Sequence, residues 1–223
     1  SMGNPVIVTI IGLPGAGKTT VSRVAARAFA AHGMKTASLD IDRFAKQYLA
    51  SVKNDIAGRR TRELIQEALL ALRDRMARIM NPGESAAIHP YTVEAVKAWI
   101  HEQSVDVIFL EMHWAKALIH YPSHELWIVT APSEKCLRQF ARSYHEPFEK
   151  RSLSQEMFAR AQFYWSNDLR SLPREKHLIS NTAYGLNAIR YRIQKLVATI
   201  AICYEDGRYE NEDDIPTIPP SAN

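Results

Sequence analysis

The chain has 223 residues, of which 46% are hydrophobic and 23% are charged, the balance of a soluble globular domain. This composition excludes a disordered, fibrous or disulfide-framework protein. The longest apolar runs, of about eight residues, fall far short of the ~20 that a membrane helix needs. Two widely separated cysteines, Cys136 and Cys203, and a start without an apolar signal core predict reduced thiols and a cytoplasmic location.

The formal net charge of +4 is unevenly distributed along the chain. Residues 205–223 hold six of the 24 acidic residues and one of the 28 basic ones, which leaves 27 basic and 18 acidic residues, a charge of +9, on residues 1–204. A basic body suits anionic partners such as small phosphorylated ligands, a membrane surface or nucleic acid. We expect residues 5–204 to form one domain and the acidic, proline-containing residues 205–223 to form a tail outside it.

The chain begins with a predicted strand, a glycine-rich turn and a predicted helix. Residues 6–11 (VIVTII) form a continuous apolar, β-branched run, which is typical of a strand buried on both faces of a parallel sheet. After the turn, apolar residues at helical spacing predict a helix over 19–31, which Gly33 ends.

Strands and helices alternate along the rest of the chain. Apolar runs predict four more strands, at 35–39, 105–110, 126–129 and 176–180. Helical spacing predicts helices over 42–80 (broken near 54–58), 91–103, 133–143 and 187–202. This alternation predicts a three-layer α/β/α fold in which helices cover both faces of a mostly parallel five-stranded sheet.

Residues 12–19 (GLPGAGKT) match the P-loop pattern G-x-x-x-x-G-K-[ST]. They lie between a predicted strand and a predicted helix, which is the context that the motif requires. Its glycines let successive backbone N–H groups turn into one concavity that holds phosphate oxygens, and the helix adds its positive amino-terminal end. The predicted nucleotide-binding residues are Gly12, Pro14, Gly15, Ala16, Gly17, Lys18, Thr19 and Thr20.

The motif also predicts the chemistry of the site. Lys18 reaches the β- and γ-phosphates, and the Thr19 hydroxyl is a ligand for Mg²⁺. A GTPase would usually carry Asn/Thr-Lys-x-Asp after a late strand, and this chain has no such tetrapeptide there. The chain is also short for a helicase or a motor ATPase. We therefore predict a P-loop small-molecule kinase with ATP and Mg²⁺ as cofactors, a helical acceptor side at about 43–103 and a lid at about 138–165.

Carboxylates follow two of the predicted strands. Asp40 and Asp42 follow the second strand, at the sheet edge where ligands of parallel α/β proteins bind. Asp42 there can accept the proton of an attacking hydroxyl, and the alternative is that Asp40 or Asp42 only caps the next helix. Glu111 ends a run with the form of a Walker B strand and is predicted either to hold a Mg²⁺-bound water or to be a plain strand-end residue.

Arginines cluster after the fourth predicted strand. A segment of this kind can close over ATP and place a guanidinium on the transferring phosphoryl group. The alternative for each arginine is a solvated helix face. We predict that Arg142 contacts phosphate, because it lies where the predicted helix ends; the cluster consists of Arg138, Arg142, Arg151 and Arg160.

Beyond the P-loop, the chain resembles the dephospho-CoA kinase family over most of residues 6–200. Residues 39–46 (LDIDRFAK) resemble its Asp-Ala-Asp segment, and residues 74–81 (DRMARIMN) resemble its Asp-Arg-x-x-Leu stretch. Residues 87–90 (AIHP) are similar to its Ile-x-His-Pro element. The segment 126–143 resembles the family's fourth strand and the start of its lid, and 178–181 (LISN) its closing Ile-Asp-Asn pattern.

The resemblance implies transfer of the ATP γ-phosphate to the ribose 3′-hydroxyl of dephospho-CoA. It implies that Asp42 is the base, that Arg75 and His89 help shape the acceptor side, and that Asn181 lies near the adenine. We also predict that Asp40 and Glu111 bind the substrate. His89 has the alternative of a helix-start residue held by Pro90. The chain departs from the family after the third strand, where residues 111–117 (EMHWAKA) replace Asp-x-Pro-Leu-Leu-Phe-Glu, and in a longer lid.

Three other functions stay open at this point. A nucleoside or deoxynucleoside monophosphate kinase is favoured by the arginine-rich residues 59–62 and by a faint likeness of residues 61–66 to phage deoxynucleotide kinases. A non-catalytic nucleotide-binding module derived from a kinase is favoured by the altered residues 111–117. Nucleic-acid binding ranks last, because no recognition helix or RNA-binding sheet motif is present in the sequence.

Overall fold

The structure is a computed structural model of the full chain. It describes residues 3–13, 15–52, 63, 86–113, 118–121, 123–132, 134–136, 138, 159, 170, 176–181 and 186–210. Several predictions lie outside these residues, namely Pro14, Arg75, Arg142, Arg151, Arg160, the arginines at 59–62, most of the lid and most of the predicted helix at 133–143.

Strands and helices alternate through the described residues. The strands are β1 (Val6–Ile11), β2 (Thr36–Asp40), β3 (Val107–Met112), β4 (Glu125–Thr130) and β5 (His177–Ser180). The helices are α1 (Lys18–Ala31), α2 (Ile41–Val52), α3 (Pro90–Glu102) and α4 (Leu186–Glu205), and a 3₁₀ turn, Ala86–Ile88, precedes α3.

The five strands form one parallel sheet in the order β2-β3-β1-β4-β5. Strand β1 is central, pairing with β3 on one side and with β4 on the other. Because all five strands run the same way, the residues that follow them meet at one edge of the sheet. The predicted α/β fold with a five-stranded parallel sheet is confirmed.

Helices cover the sheet on both faces. Every residue of β1 and β3 is buried, which requires packed layers above and below these strands. Helix α1 contacts α4, and α2 contacts α3, so the helices form two groups. The inward positions of α1 and α4 are apolar apart from Ser22 and include Val21, Phe29, Ile193 and Val197. The core therefore lies on the two faces of the sheet, and its edge is left for polar residues.

Strand β3 begins two residues later than the apolar pattern predicts. Asp106 stands before the strand, where its carboxylate accepts hydrogen bonds from the Lys35 backbone N–H (2.8 Å) and the Tyr204 hydroxyl (2.7 Å). The strand accordingly ends at Met112 rather than at residue 110. This shift places Glu111 within the strand and His113 directly after it, at the edge where the P-loop lies.

The packed part of the chain extends beyond residue 204, where the charge pattern predicts that the tail begins. Helix α4 runs to Glu205, and the chain then turns. The Tyr209 hydroxyl donates to Glu125 Oε1 (3.2 Å), and its ring meets the His124 ring edge-on with centroids 5.2 Å apart. The predicted boundary is therefore too early by at least five residues, because an aromatic side chain in an acidic segment still packs on the body. Residues 211–223 are not described.

Within the described ranges, no helix combines the length and the apolar character needed to cross a membrane.

Candidate phosphate-binding site

The P-loop connects the carboxyl end of β1 to α1. Helix α1 begins after Gly17, without a capping side chain among the described residues and without an acidic residue in its first turn. Uncapped N–H groups at a helix start need a partner, and the helix dipole favours an anion there. The local structure therefore suits a phosphate group as the cap of α1.

Two glycines of the loop are required by close neighbours. A Cβ on Gly12 would lie 2.9 Å from the Val129 carbonyl oxygen on the neighbouring strand β4. Gly17 has a φ of +102°, and a Cβ there would lie 2.4 Å from Asn181 Nδ2. The shape of the loop therefore depends on close contacts with β4 and with the residue after β5, as well as on the loop's own sequence.

The Lys18 ammonium group contacts three acceptors under the loop. Its Nζ donates to the carbonyl oxygens of Gly12 (2.7 Å) and Leu13 (3.1 Å) and lies 3.0 Å from Nδ1 of His113. Burial lowers the pKa of Lys18 to about 8, although the carboxylates of Asp42, Asp40 and Glu111 act in the opposite direction. Lys18 is thus held at the site by its own loop and by a residue of the β3 edge.

Thr19 is joined to the end of β3. The Thr19 hydroxyl donates to Glu111 Oε1 (2.9 Å), and the Ser22 hydroxyl lies 3.4 Å from Oε2 of the same carboxylate. Glu111 is 5% exposed, and this burial raises the pKa of its carboxyl group, against the hydrogen bond from Thr19. The acidic end of β3 therefore meets the predicted Mg²⁺ ligand directly.

These groups fit a Mg²⁺ site of the P-loop kind. Mg²⁺ takes oxygen ligands and is usually held by one or two protein groups together with phosphate oxygens and waters. Thr19 would supply the hydroxyl ligand, and Glu111, which accepts from that hydroxyl, would accept a hydrogen bond from a Mg²⁺-bound water. Among the described residues no group of three or more His, Cys, Asp or Glu side chains could hold a metal by itself.

The two aspartates at the junction of β2 and α2 have different surroundings. Asp40 Oδ1 accepts from the Arg43 backbone N–H (3.2 Å), so Asp40 caps α2. Asp42 lies in the first turn of α2, and its Oδ2 accepts from the His113 backbone N–H (3.2 Å) and lies 3.6 Å from His113 Nε2. The capping role that the sequence leaves open between the two belongs to Asp40, and Asp42 faces the end of β3.

Asn181 follows β5 and contacts the P-loop from the other side. Its Nδ2 donates to the Ala16 carbonyl (2.8 Å), and its Oδ1 accepts from Lys135 Nζ (2.8 Å). Its own backbone N–H donates to the Thr130 carbonyl at the end of β4 (2.7 Å). Asn181 is thus part of the site, and its nearness to an adenine ring stays a prediction.

His89 is the N-cap of α3. Its Nδ1 accepts from the Tyr91 backbone N–H (3.2 Å), and the two rings stack with centroids 5.5 Å apart. Partial burial lowers the pKa of His89, which favours the neutral ring that such a cap needs. This geometry is the helix-start alternative that Pro90 suggests, and an acceptor-side role for His89 stays a prediction.

The structure therefore gathers most of the predicted residues that it describes at one edge of the sheet. The P-loop follows β1, Asp40 is the last residue of β2, and Asp42 lies just after that strand. Glu111 is the next-to-last residue of β3, and Asn181 follows β5. Sequence reasoning missed His113, Ser22 and Lys135 as members of this group. Only His113 had a signal, since it lies in the segment 111–117 that departs from the dephospho-CoA kinase pattern.

No protein-family model and no curated protein sequence matches this chain. The chain is similar in structure to TT1252 from Thermus thermophilus, with 21% sequence identity, coverage of 88% of this chain and 98% of that one, and a TM-score of 0.60. A shikimate kinase from Bacteroides thetaiotaomicron aligns at 14% identity over 90% of this chain and 98% of its own, with a TM-score of 0.48. The chain thus shares the α/β fold of TT1252.

Proposed function

We propose that this protein is an ATP-dependent kinase that transfers the γ-phosphate to a hydroxyl group of a small molecule. The observation that carries the proposal is the meeting of Lys18, Thr19, Glu111 and Asp42 at one sheet edge. A P-loop with its lysine and hydroxyl binds the phosphates of a nucleotide. A carboxylate in a first helix turn across from that lysine is a suitable base for an acceptor hydroxyl.

The proposed step uses each of these groups once. The loop N–H groups, the start of α1 and Lys18 hold the β- and γ-phosphates and stabilise the charge that develops on them. The acceptor hydroxyl oxygen attacks the γ-phosphorus, the bond from that phosphorus to the bridging oxygen of ADP breaks, and Asp42 takes the hydroxyl proton. Mg²⁺, held by Thr19 and the phosphates, supplies charge neutralisation when bound.

For the acceptor we propose the ribose 3′-hydroxyl of dephospho-CoA. Support comes from the sequence resemblance, in particular residues 39–46 and 87–90. The contacts of the two aspartates also support this acceptor. The resemblance implies that Asp42 is the base, and Asp42 contacts His113, which in turn contacts Lys18.

An acceptor screen with Mg·ATP tests this function. We expect ADP release with dephospho-CoA and none with nucleoside monophosphates, measured by a coupled assay and by mass analysis of the product. Lys18→Ala should lower kcat by about three orders of magnitude, because it removes charge stabilisation in the transition state. Lys97→Ala, on the outer face of α3 with a 46% exposed side chain, should stay within about twofold.

Each alternative has its own outcome in the same screen. Turnover with a monophosphate and none with dephospho-CoA would identify a nucleotide kinase. ATP binding without transfer to any acceptor, and unchanged in Asp42→Asn, would identify a non-catalytic module. Tight, steeply salt-dependent binding of DNA or RNA would identify a nucleic-acid partner.

A further inference from the structure

His113 lies between Lys18 and Asp42, the two side chains that the proposed reaction needs. Its Nδ1 is 3.0 Å from Lys18 Nζ, and its Nε2 is 3.6 Å from Asp42 Oδ2. Its backbone N–H donates to the same Asp42 oxygen at 3.2 Å. The ring is largely buried, with 19% of the side chain exposed, and so is Asp42 with 15%.

These contacts determine which ring nitrogen carries the proton. A charged lysine has three N–H donors and no acceptor, so the Nδ1 that Lys18 contacts must be the unprotonated nitrogen. In the neutral ring the hydrogen is then on Nε2, which faces the Asp42 carboxylate. The distance of 3.6 Å is longer than a hydrogen bond, and contacts of catalytic groups often shorten when substrate binds.

From this geometry we infer that His113 is a positioning residue that holds Asp42 through its Nε2–H and its backbone N–H. The backbone N–H donates to Oδ2 at 3.2 Å and Nε2 lies 3.6 Å from the same oxygen, so both groups restrict the rotation of the carboxylate. The same ring contacts Lys18 through Nδ1. The inference rests on the proposed kinase function, because it assigns His113 to the orientation of the base.

The sequence shows why this role belongs to this chain. In the pattern of the resembling family, Asp-x-Pro aligns with Glu111, Met112 and His113, so proline stands where this chain has histidine. Proline has neither a backbone N–H nor a ring donor. Both contacts to Asp42 therefore depend on a residue that departs from the pattern, and the departure adds a function to this segment.

Paired substitutions separate the two ends of the ring. Glutamine places an amide N–H at the ε position and can reach Asp42, whereas asparagine places an amide oxygen at the δ position and can serve only Lys18. His113→Ala and His113→Asn should lower kcat about 30-fold, which is the scale expected when a catalytic group is misplaced by a fraction of an ångström. His113→Gln should recover most of that loss. The KM for Mg·ATP should change by less than about threefold in all three.

Several results would contradict the inference. Recovery by asparagine instead of glutamine would assign the ring to Lys18, and equal loss in all three variants with a higher KM would indicate a packing role. Full activity of His113→Ala would exclude any role. The matched control His101→Ala, at the exposed end of α3, should keep kcat within about twofold.

A nuclear magnetic resonance measurement tests the geometry without any acceptor. Long-range ¹H–¹⁵N spectra of the nucleotide-free protein at neutral pH should show His113 with Nε2 protonated and Nδ1 unprotonated, and the His113→Ala spectrum assigns the signals. Addition of Mg·ATP should shift Nδ1 as Lys18 moves to the phosphates. A ring with Nδ1 protonated overturns the inference. If His113 has Nε2 protonated but the protein phosphorylates no acceptor, the proposed function is wrong and the geometry of His113 stands.

Discussion

The burial of Lys18 disfavours its charged form, although the proposed function needs that charge. Its ammonium group is held under the P-loop by two carbonyl oxygens and a ring nitrogen, and burial still lowers its pKa from 10.5 to about 8. The three contacts therefore do not fully replace the water that the charge has lost. Under the proposed function, a nucleotide phosphate would add a further negative partner for this charge.

The lowered pKa predicts a pH dependence of folding stability. Between about pH 8 and 10.5 the unfolded chain keeps the Lys18 proton while the folded protein has released it, so the free energy of unfolding should rise with pH. Lys18→Met lacks this contribution. The wild-type value minus the Lys18→Met value should rise by about 1 kcal/mol across this range, less than the full pKa shift implies because the loop partly faces water.

Urea unfolding at a series of pH values measures this difference, and the subtraction removes the titration of the other lysines and tyrosines. A difference that stays flat, or that falls as the pH rises, would show that the folded site does not disfavour the charged lysine.

At the scale of an element, the start of α2 divides two roles between neighbouring aspartates. Asp40 caps the helix, and Asp42 contacts His113. Asp40→Ala should lower the free energy of unfolding by about 1 kcal/mol, as expected for the loss of a cap, and Asp40→Asn should restore most of it.

Asp42→Asn should lower kcat by about 100-fold or more with little change in ATP affinity, because it removes the base. Thermal melts and steady-state kinetics on the same variants decide between these outcomes, and a rate loss confined to Asp40→Ala would reverse the assignment.

In the turn between β1 and α1, a neighbouring side chain restricts which residue can stand at position 17. Gly17 and Gly33 both have positive φ, but only Gly17 has an atom close to the missing Cβ. Gly33→Ala should therefore cost about 1 kcal/mol of stability, the cost of a left-handed backbone alone. Gly17→Ala should cost about 2 kcal/mol more, since it also meets Asn181.

The double variant Gly17→Ala/Asn181→Ala removes that clash and should recover part of the extra loss, as measured by denaturant unfolding. Equal costs for the two single glycine variants would show that Asn181 moves aside freely.

On the scale of the whole molecule, the two ends of the sheet have different tasks. The candidate phosphate-binding site lies at the carboxyl edge, and the end of α4 and the turn after it cover the amino edge. Tyr204 reaches Asp106 before β3, and Tyr209 reaches Glu125 at the start of β4. The last helix therefore ties together two strands on either side of β1.

This closure predicts a stability effect far from the site. Tyr209→Phe should lower the free energy of unfolding by about 1 kcal/mol through the lost hydrogen bond, and Tyr209→Ala by about 2 kcal/mol or more because the ring contact with His124 is lost as well. Nucleotide affinity, measured by calorimetry below the melting temperature, should be unchanged in both. An unchanged melting temperature in Tyr209→Ala would mean that the segment does not contribute to the fold.

The amino-acid sequence by itself determined the strands, the P-loop and the class of fold. These features are local: a continuous apolar run, a fixed spacing of glycines and a lysine, and a regular alternation of periods are each read within about 15 residues. It also predicted that carboxylates would follow β2 and end β3, since residues after parallel strands meet at one edge.

Only the tertiary structure decided which of these residues touch. Asn181 meets the Ala16 carbonyl across 165 positions of the chain, and His113 meets Asp42 across 71. The structure also decided that Asp40 caps α2 and that Asp42 contacts the residue after β3. This depends on the order of the strands in the sheet and on the late start of β3 after Asp106. Such contacts depend on packing between distant segments, so no local pattern contains them.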